Sequence, residues 1–257
     1  MSDSNSTPTA VAPPPIAVDV GVIAALEIEI GGFLKQLREV RSYRTGTRFK
    51  IIEGECAGKV VAVIVSGTGR RAARRATEIL WSGHKPRWLI SAGFAGGLHP
   101  EIVKDEVILA NEIVDESGAR HRLETLVSSD QKVAVRSGRL LTVDRAAATV
   151  LEKSALRIKH SADLVDMESS AVAAFCAERG VRFLSVRVIT DTAADELPPW
   201  IHRLTARPSS AYRAGAALRV LWETPASAND FLKLRNLARD SSRLLGTVLP
   251  KIIQGLA

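Results

Sequence analysis

Short runs of β-branched and aliphatic residues alternate with longer amphipathic stretches along this chain, and glycine marks many of the boundaries. The run 16–25 predicts a buried strand, and 48–55 with 59–66 predicts a hairpin turning at Ala57-Gly58. Ser66-Gly67-Thr68-Gly69 then leads into a helix over 70–81. A strand over 88–91 runs into the glycine-rich segment Ala92-Gly93-Phe94-Ala95-Gly96-Gly97-Leu98. Further strands are predicted over 107–114, 140–143 and 183–189, and helices over 145–156 and 169–179, the latter stopped by Gly180 at its C′ position. Two or three helices are expected to finish the chain. Strands alternating with helices and joined by glycine turns predict an α/β fold with a mostly parallel or mixed sheet flanked by helices.

The chain has 257 residues, of which 46% are hydrophobic, enough to form the core of one large domain over 16–257 with a C-terminal helical extension. The segment 1–15 is rich in Ser, Thr and Pro and lacks an apolar core, so it reads as a disordered tail and not a signal peptide. No apolar run approaches the roughly 20 residues of a membrane span, so a cytoplasmic, soluble protein is expected. The stretch Phe231, Leu234, Leu237, Leu244, Leu245, Val248, with Lys233, Arg235, Arg239, Arg243 and Lys251 between, has two readings. One is a core-packing helix with a solvated basic face; the other is a helix in peripheral contact with an anionic membrane. The net charge of +7 admits anionic partners, but four Trp, two Tyr and six Phe are scattered without basic interleaving, which argues against nucleic acid. Cys56 and Cys176 stand in no metal-ligand spacing, and the five histidines are dispersed, so neither a metal nor a cofactor is expected.

The chemistry is concentrated at three strand ends. Leu164-Val165-Asp166-Met167-Glu168 and Val188-Ile189-Thr190-Asp191 each finish an apolar run on an acid, where open α/β sheets place their ligands. Glu168 could simply meet a helix dipole, and Asp191 could cap a turn. Ala24-Ala25-Leu26-Glu27-Ile28-Glu29 offers a further carboxylate from another strand end. Three carboxylates suit cleavage of a glycosidic bond: one protonates the leaving group, one stabilises the cationic sugar, one activates water. The glycine turns at 66–69 and 93–97 let a ligand approach the backbone, although plain turn chemistry explains each equally well. Gly69 with Arg70, Arg71, Arg74 and Arg75 reads either as an oxyanion site at a helix N-terminus or as a solvated basic face.

These segments, at 24–29, 66–69, 91–98, 165–172 and 186–193, together resemble the nucleoside phosphorylase and nucleosidase superfamily, in particular its 5′-methylthioadenosine/S-adenosylhomocysteine nucleosidase branch. Within that branch, Val165-Asp166-Met167-Glu168-Ser169, Leu197-Pro198-Pro199 and the stretch 224–245 are similar to hopanoid-associated phosphorylase-like proteins, which resemble nucleosidases acting on adenosylhopane.

The resemblance implies a three-layer αβα fold around a mixed, partly barrel-like sheet, a nucleoside substrate and a homodimer. It implies that Asp191 delivers a proton toward purine N7, that Glu168 binds ribose hydroxyls and offsets the oxocarbenium charge, and that Glu29 orients or deprotonates the attacking water. Met167 would pack on the ribose, Phe94, Ala95 and Gly96 would line the site, and Thr190 would contact substrate. Glu29 favours hydrolysis, whereas Arg70, Arg44 and Arg48 keep phosphorolysis open. A nucleoside-binding module without turnover is the third reading. The adenine-stacking aromatic of the small-substrate nucleosidases would fall near Asp144-Arg145-Ala146, where this chain has none.

Overall fold

The computed structural model describes residues 16–44, 49–123, 135–197 and 228–256, with side chains of the last segment described from residue 238. The expected tail over 1–15, Arg48, and Pro198, Pro199, Trp200 and His202 lie outside these residues.

Among the described residues ten strands form one mixed sheet. They are β1 (Val20–Ala24), β2 (Arg38–Arg44), β3 (Lys50–Cys56), β4 (Lys59–Val65), β5 (Trp88–Gly97), β6 (Val107–Asp115), β7 (Arg120–Arg122), β8 (Arg136–Thr142), β9 (Leu164–Asp166) and β10 (Arg182–Asp191). The helices are α1 (Glu27–Leu34), α2 (Arg70–His84), α3 (Val150–His160), α4 (Ser169–Arg179) and α5 (Ala228–Gln254). β5 pairs with β10, β10 with β6, β6 with β8, β8 with β9, and β9 returns to β5, so five strands close a ring. From β5 the sheet continues outward through β1, β4, β3 and β2. This is the expected α/β architecture with a partly barrel-like sheet.

Alternation along the strands builds a core on each face. Val20, Val22 and Ala24 of β1 pack with Ile30 and Phe33 of α1 and with Leu245, Val248, Leu249, Ile252 and Ile253 of α5. Ile23, one residue out of phase, packs on the other face with Ala73, Ala76 and Leu80 of α2 and Val172 and Phe175 of α4. The apolar positions 245 and 248 of the last helix are therefore committed to the core, which leaves them nothing to offer a membrane; positions 231, 234 and 237 fall outside the described side chains. Among the described residues no helix is long and apolar enough to cross a bilayer.

Several expected boundaries move. The glycine-rich segment after residue 91 is no loop: β5 runs unbroken to Gly97. Bulk is excluded along it, because a Cβ at Gly93 would sit 3.1 Å from the Glu29 carboxylate, one at Gly96 2.9 Å from that of Asp191, and one at Gly97 3.1 Å from Ile102. The helix expected from residue 145 starts at Val150, where Thr149 and Glu152 form a reciprocal capping box. β2, with a largely exposed polar pattern, gives no alternating signal and was not expected. The hairpin turn stands where expected, with Ala57 and Gly58 both at positive φ (51° and 74°).

α1 and α5 cross in backbone contact. A Cβ on Gly32 would lie 1.9 Å from the Ser242 carbonyl oxygen, one on Gly246 would lie 2.5 Å from the Gly32 carbonyl oxygen, and the Gly32 amide donates to Ser242 Oγ at 2.8 Å. Gly31, one residue away, would meet only Ser242 Oγ at 3.9 Å. Thermal unfolding should separate the two. Gly32→Ala should lower stability by about 1–3 kcal/mol or more through overpacking, whereas Gly31→Ala should be neutral or stabilising by up to about 1 kcal/mol from helix propensity.

Candidate active site

A buried arginine organises the polar end of the ring. Arg187 sits mid-strand in β10, 2% exposed, and its guanidinium donates to Asp166 Oδ2 (2.8 Å), Ser91 Oγ (2.7 Å), Ser169 Oγ (2.7 Å) and the carbonyls of Ser91 and Val186. Asp166, the last residue of β9, also accepts from the Thr142 hydroxyl (2.7 Å) and from the Ser169 amide at the start of α4 (3.0 Å). A buried charge is tolerated only when paired and hydrogen-bonded, and both members of this pair are.

Glu29 lies in the first turn of α1, where an acid ordinarily meets the helix dipole, but it does more there. Its Oε2 accepts from the Leu26 amide (2.8 Å) and its Oε1 from the Phe94 amide of β5 (3.3 Å), which fixes the carboxyl between a helix start and a strand. Loss of hydration raises its pKa above the ordinary value; the amides of Leu26 and Phe94 and the charge of Arg187 act the other way.

Glu168 occupies the N-cap position of α4 without capping it, a task that falls to Asp166. Its side chain turns instead to the start of α2, where Oε1 accepts from the Gly69 amide at 2.6 Å. Burial, with Asp166 and Glu29 close by, pushes its pKa up to about 8. Arg70, at the same helix start, is also committed. The Arg70 guanidinium grips Asp144 through two contacts (2.9 and 2.8 Å) and reaches Asp115 at 3.3 Å. Gly69 and Arg70 thus bind carboxylates of the chain itself.

Asp191 ends β10 and is 8% exposed. Its Oδ1 accepts from the Thr190 hydroxyl at 2.9 Å and its Oδ2 from Lys153 of α3 at 2.6 Å. Lys153 is fully buried and was not anticipated from the sequence, nor was Arg187. Each breaks an otherwise readable pattern: Arg187 interrupts the apolar run of β10, and Lys153 stands on the inward side of an amphipathic helix.

The expected residues surround one cavity of ≈ 260 Å³. Glu29, Glu168, Asp191, Met167, Phe94, Ala95, Gly96 and Thr190 all line it, and Val143, Ala146, Ala147 and Leu197 supply an aliphatic wall where an aromatic was missing from the sequence. Behind Glu29 a second recess of only ≈ 10 Å³ is lined by Ser66, Ser91, Gly93, Glu168 and Arg187 among others. One water needs about 10–15 Å³ and two or more polar partners, so the recess is of single-water size. Gly69 and Arg70 line neither space. The described histidines likewise stay away: His84 is buried against Glu53 (2.6 Å) and Tyr43 (3.1 Å) under β3, and none of the described ones lines the cavity. Among the described residues no group of three or more His, Cys, Asp or Glu side chains is placed to hold a metal ion.

A closed ring of strands with acids gathered at their ends defines a class of protein, and comparison with known proteins identifies it. A profile described as the phosphorylase superfamily matches residues 19–125 and 116–211, and the chain belongs to that superfamily. A 5′-methylthioadenosine/S-adenosylhomocysteine nucleosidase of Shewanella halifaxensis is 26% identical over 204 residues, covering 70% of this chain and 88% of the relative. The nucleosidase of the same name from Bacillus anthracis is 26% identical over 202 residues, covering 69% and 87%. The fold is shared with the crystal structure of the Neisseria meningitidis nucleosidase in complex with methylthio-immucillin-A (TM-score 0.69, 21% identity, 92% and 99% covered). It is shared also with futalosine hydrolase of Helicobacter pylori (TM-score 0.71, 17% identity, 95% and 99% covered).

The raised pKa of Glu168 has a consequence for stability. The folded protein holds a proton on Glu168 that the unfolded chain releases near pH 4.5, so this group's contribution is full at low pH and lost as pH rises through about 8. Glu168→Gln, which keeps the acceptor for Gly69, removes that dependence. The Tm of the variant should therefore gain on that of the wild type between pH 5 and pH 8, as read by calorimetry across that range; a pH-independent difference would contradict the assignment.

Proposed function

We propose that the protein hydrolyses the N-glycosidic bond of a purine nucleoside, with adenine as base and a substituent at the 5′ position. The observation that carries this reading is the convergence of Glu29, Glu168 and Asp191 on one cavity that opens beside a recess of single-water size.

The roles are those the resemblance implies, and their surroundings support them. Water in the recess accepts from the Ser91 hydroxyl and donates to Glu29; Glu29, whose raised pKa makes it a stronger base than an ordinary carboxylate, takes its proton as the oxygen attacks C1′. Glu168 binds the ribose hydroxyls and, in its ionised form, offsets the positive charge that grows on the ring, with Met167 against the sugar. As the bond from C1′ to N9 breaks, its electron pair passes to the base, and Asp191 gives a proton to N7 so that neutral adenine leaves. The products are adenine and a free 5-substituted ribose. The proton gained by Glu29 returns to solvent and Asp191 is reprotonated from it.

The space behind Glu29 favours water over phosphate, which needs several times the recess volume, and Arg70 is spent on Asp144 and Asp115. The aliphatic wall of Val143, Ala146, Ala147 and Leu197 gives the base slot a smooth apolar face in place of a stacked ring. The 5′ groups that the resemblance brings forward are methylthio, the homocysteine thioether and the hopane chain of adenosylhopane. A homodimer is proposed on the same basis.

Product analysis tests the reading. Incubation with 5′-methylthioadenosine, S-adenosylhomocysteine, adenosine and an adenosine bearing a long apolar 5′ chain should release adenine at a rate independent of added phosphate, and the fastest substrate names the 5′ group. A phosphate-dependent sugar 1-phosphate would establish a phosphorylase instead, and absence of any cleavage a binding module. Asp191→Asn should lower kcat by about 10²–10⁴ while substrate binding by calorimetry persists.

A further inference from the structure

Lys153, in contact with Asp191 at the edge of the cavity, is left unused by the roles above. Its ammonium has three protons and three acceptors: Asp191 Oδ2 at 2.6 Å, the Thr192 carbonyl at 2.7 Å and the Asp195 carbonyl at 2.8 Å. All of its hydrogen-bonding capacity is therefore spent on the end of β10 and the turn after it. The residue is fully buried, in a helix whose outward positions Leu151 and Ile158 are 82% and 80% exposed. Val143, Ala147, Ala162 and Val165 form an apolar cluster at this end of the sheet, with Leu156 of α3 packed against it, and an aliphatic residue at 153 would carry no charge to desolvate. Packing alone does not account for an ammonium there.

We propose that Lys153 is a positioning residue for Asp191, selecting which carboxyl oxygen faces the base and stabilising the carboxylate left after proton transfer; this rests on the reading of Asp191 as proton donor. Two contacts close off Oδ2: the ammonium itself, and the backbone of Gly96, whose Cβ would be 2.9 Å from that oxygen. Oδ1 is left to the substrate, with the Thr190 hydroxyl as its companion at 2.9 Å. That hydroxyl has a second acceptor in the Ala95 carbonyl at 3.4 Å, so it can turn away when Oδ1 carries a proton and turn back when the proton is gone. In the chemical step the Oδ1–H bond breaks, N7–H forms, and the carboxylate that remains is met by a cation already in contact with Oδ2. No reorganisation is needed at that moment. Lys153 also ties the acid to the cavity wall, because the turn it holds continues to Leu197, whose amide donates to the Ala148 carbonyl at 2.8 Å.

The test compares two leaving groups. Adenine must be protonated to leave, whereas the phenolate of p-nitrophenyl β-D-ribofuranoside leaves without a proton. Full-length wild type, Lys153→Met and Asp191→Asn are assayed on 5′-methylthioadenosine and on the riboside. Lys153→Met should lose about 100-fold or more in kcat on the adenine nucleoside, with KM little changed and riboside cleavage at the wild-type level. Equal losses on both substrates would make Lys153 structural and overturn the proposal, as would retention of both activities. Lys153→Arg keeps the charge and so protects the fold if Lys153→Met is insoluble. Its planar fork cannot serve three convergent acceptors, so the same selective loss on the adenine nucleoside is expected, and an unselective one overturns the proposal. Full adenine release by Asp191→Asn would instead overturn the assignment of the acid, which keeps the two failures apart.

Discussion

Asp166 and Glu29 both disfavour charge on Glu168 in a space largely closed to water, and the buried guanidinium of Arg187 is what makes their assembly tolerable. It binds Asp166 directly and lowers the energy of charge on both glutamates from a distance. Through Asp166 it also sets the start of α4, and through Ser91 it fastens β10 to β5. Removing a partner from such a pair leaves an uncompensated buried charge, a loss of about 3–5 kcal/mol in other proteins. The position of Glu168, and with it the shape of the sugar site, depends on this pair. Only Met167 separates the two carboxylates along the chain, yet one caps a helix and the other is free to cross to Gly69.

Much of this was legible in the sequence because strand ends are written in a simple code. An apolar run that terminates in an acid marks the carboxyl edge of a sheet, and Glu168 and Asp191 were found that way, whereas Glu29 was told apart from its neighbour Glu27 only by resemblance. What periodicity could not supply was the closure of the ring, since the pairing of β9 with β5 joins residues far apart in sequence through only two registered positions, Gly96 with Val165 and Gly97 with Leu164. The glycines of β5 were misread as loop for a related reason. Their small size answers to Glu29, Asp191 and Ile102, partners that no local window contains.

The missed cations were hidden differently. Arg187 stands in a strand and Lys153 in a helix that both read as ordinary elements once a single charged residue is treated as noise. Treated as a cost, each demands a buried anion, and the chain has acids at the neighbouring strand ends to answer it. The basic stripe after Gly69 invited the opposite error: Arg70 and Arg74 look like an anion site, but Asp144, Asp115, Glu78 and Glu178 already answer them.

Because β5 belongs both to the ring and to the sheet that continues from it, it is hydrogen-bonded to β1, β9 and β10 at once. The strand that presents Phe94, Ala95 and Gly96 to the cavity cannot peel away without opening the ring, and no terminal strand of the ring exists from which opening could begin. Local fluctuations are then confined to the connecting turns, while the acids share the fate of the whole. Heat or denaturant would find no native-like form with the acids dispersed. Activity and architecture are bound to disappear in a single cooperative event.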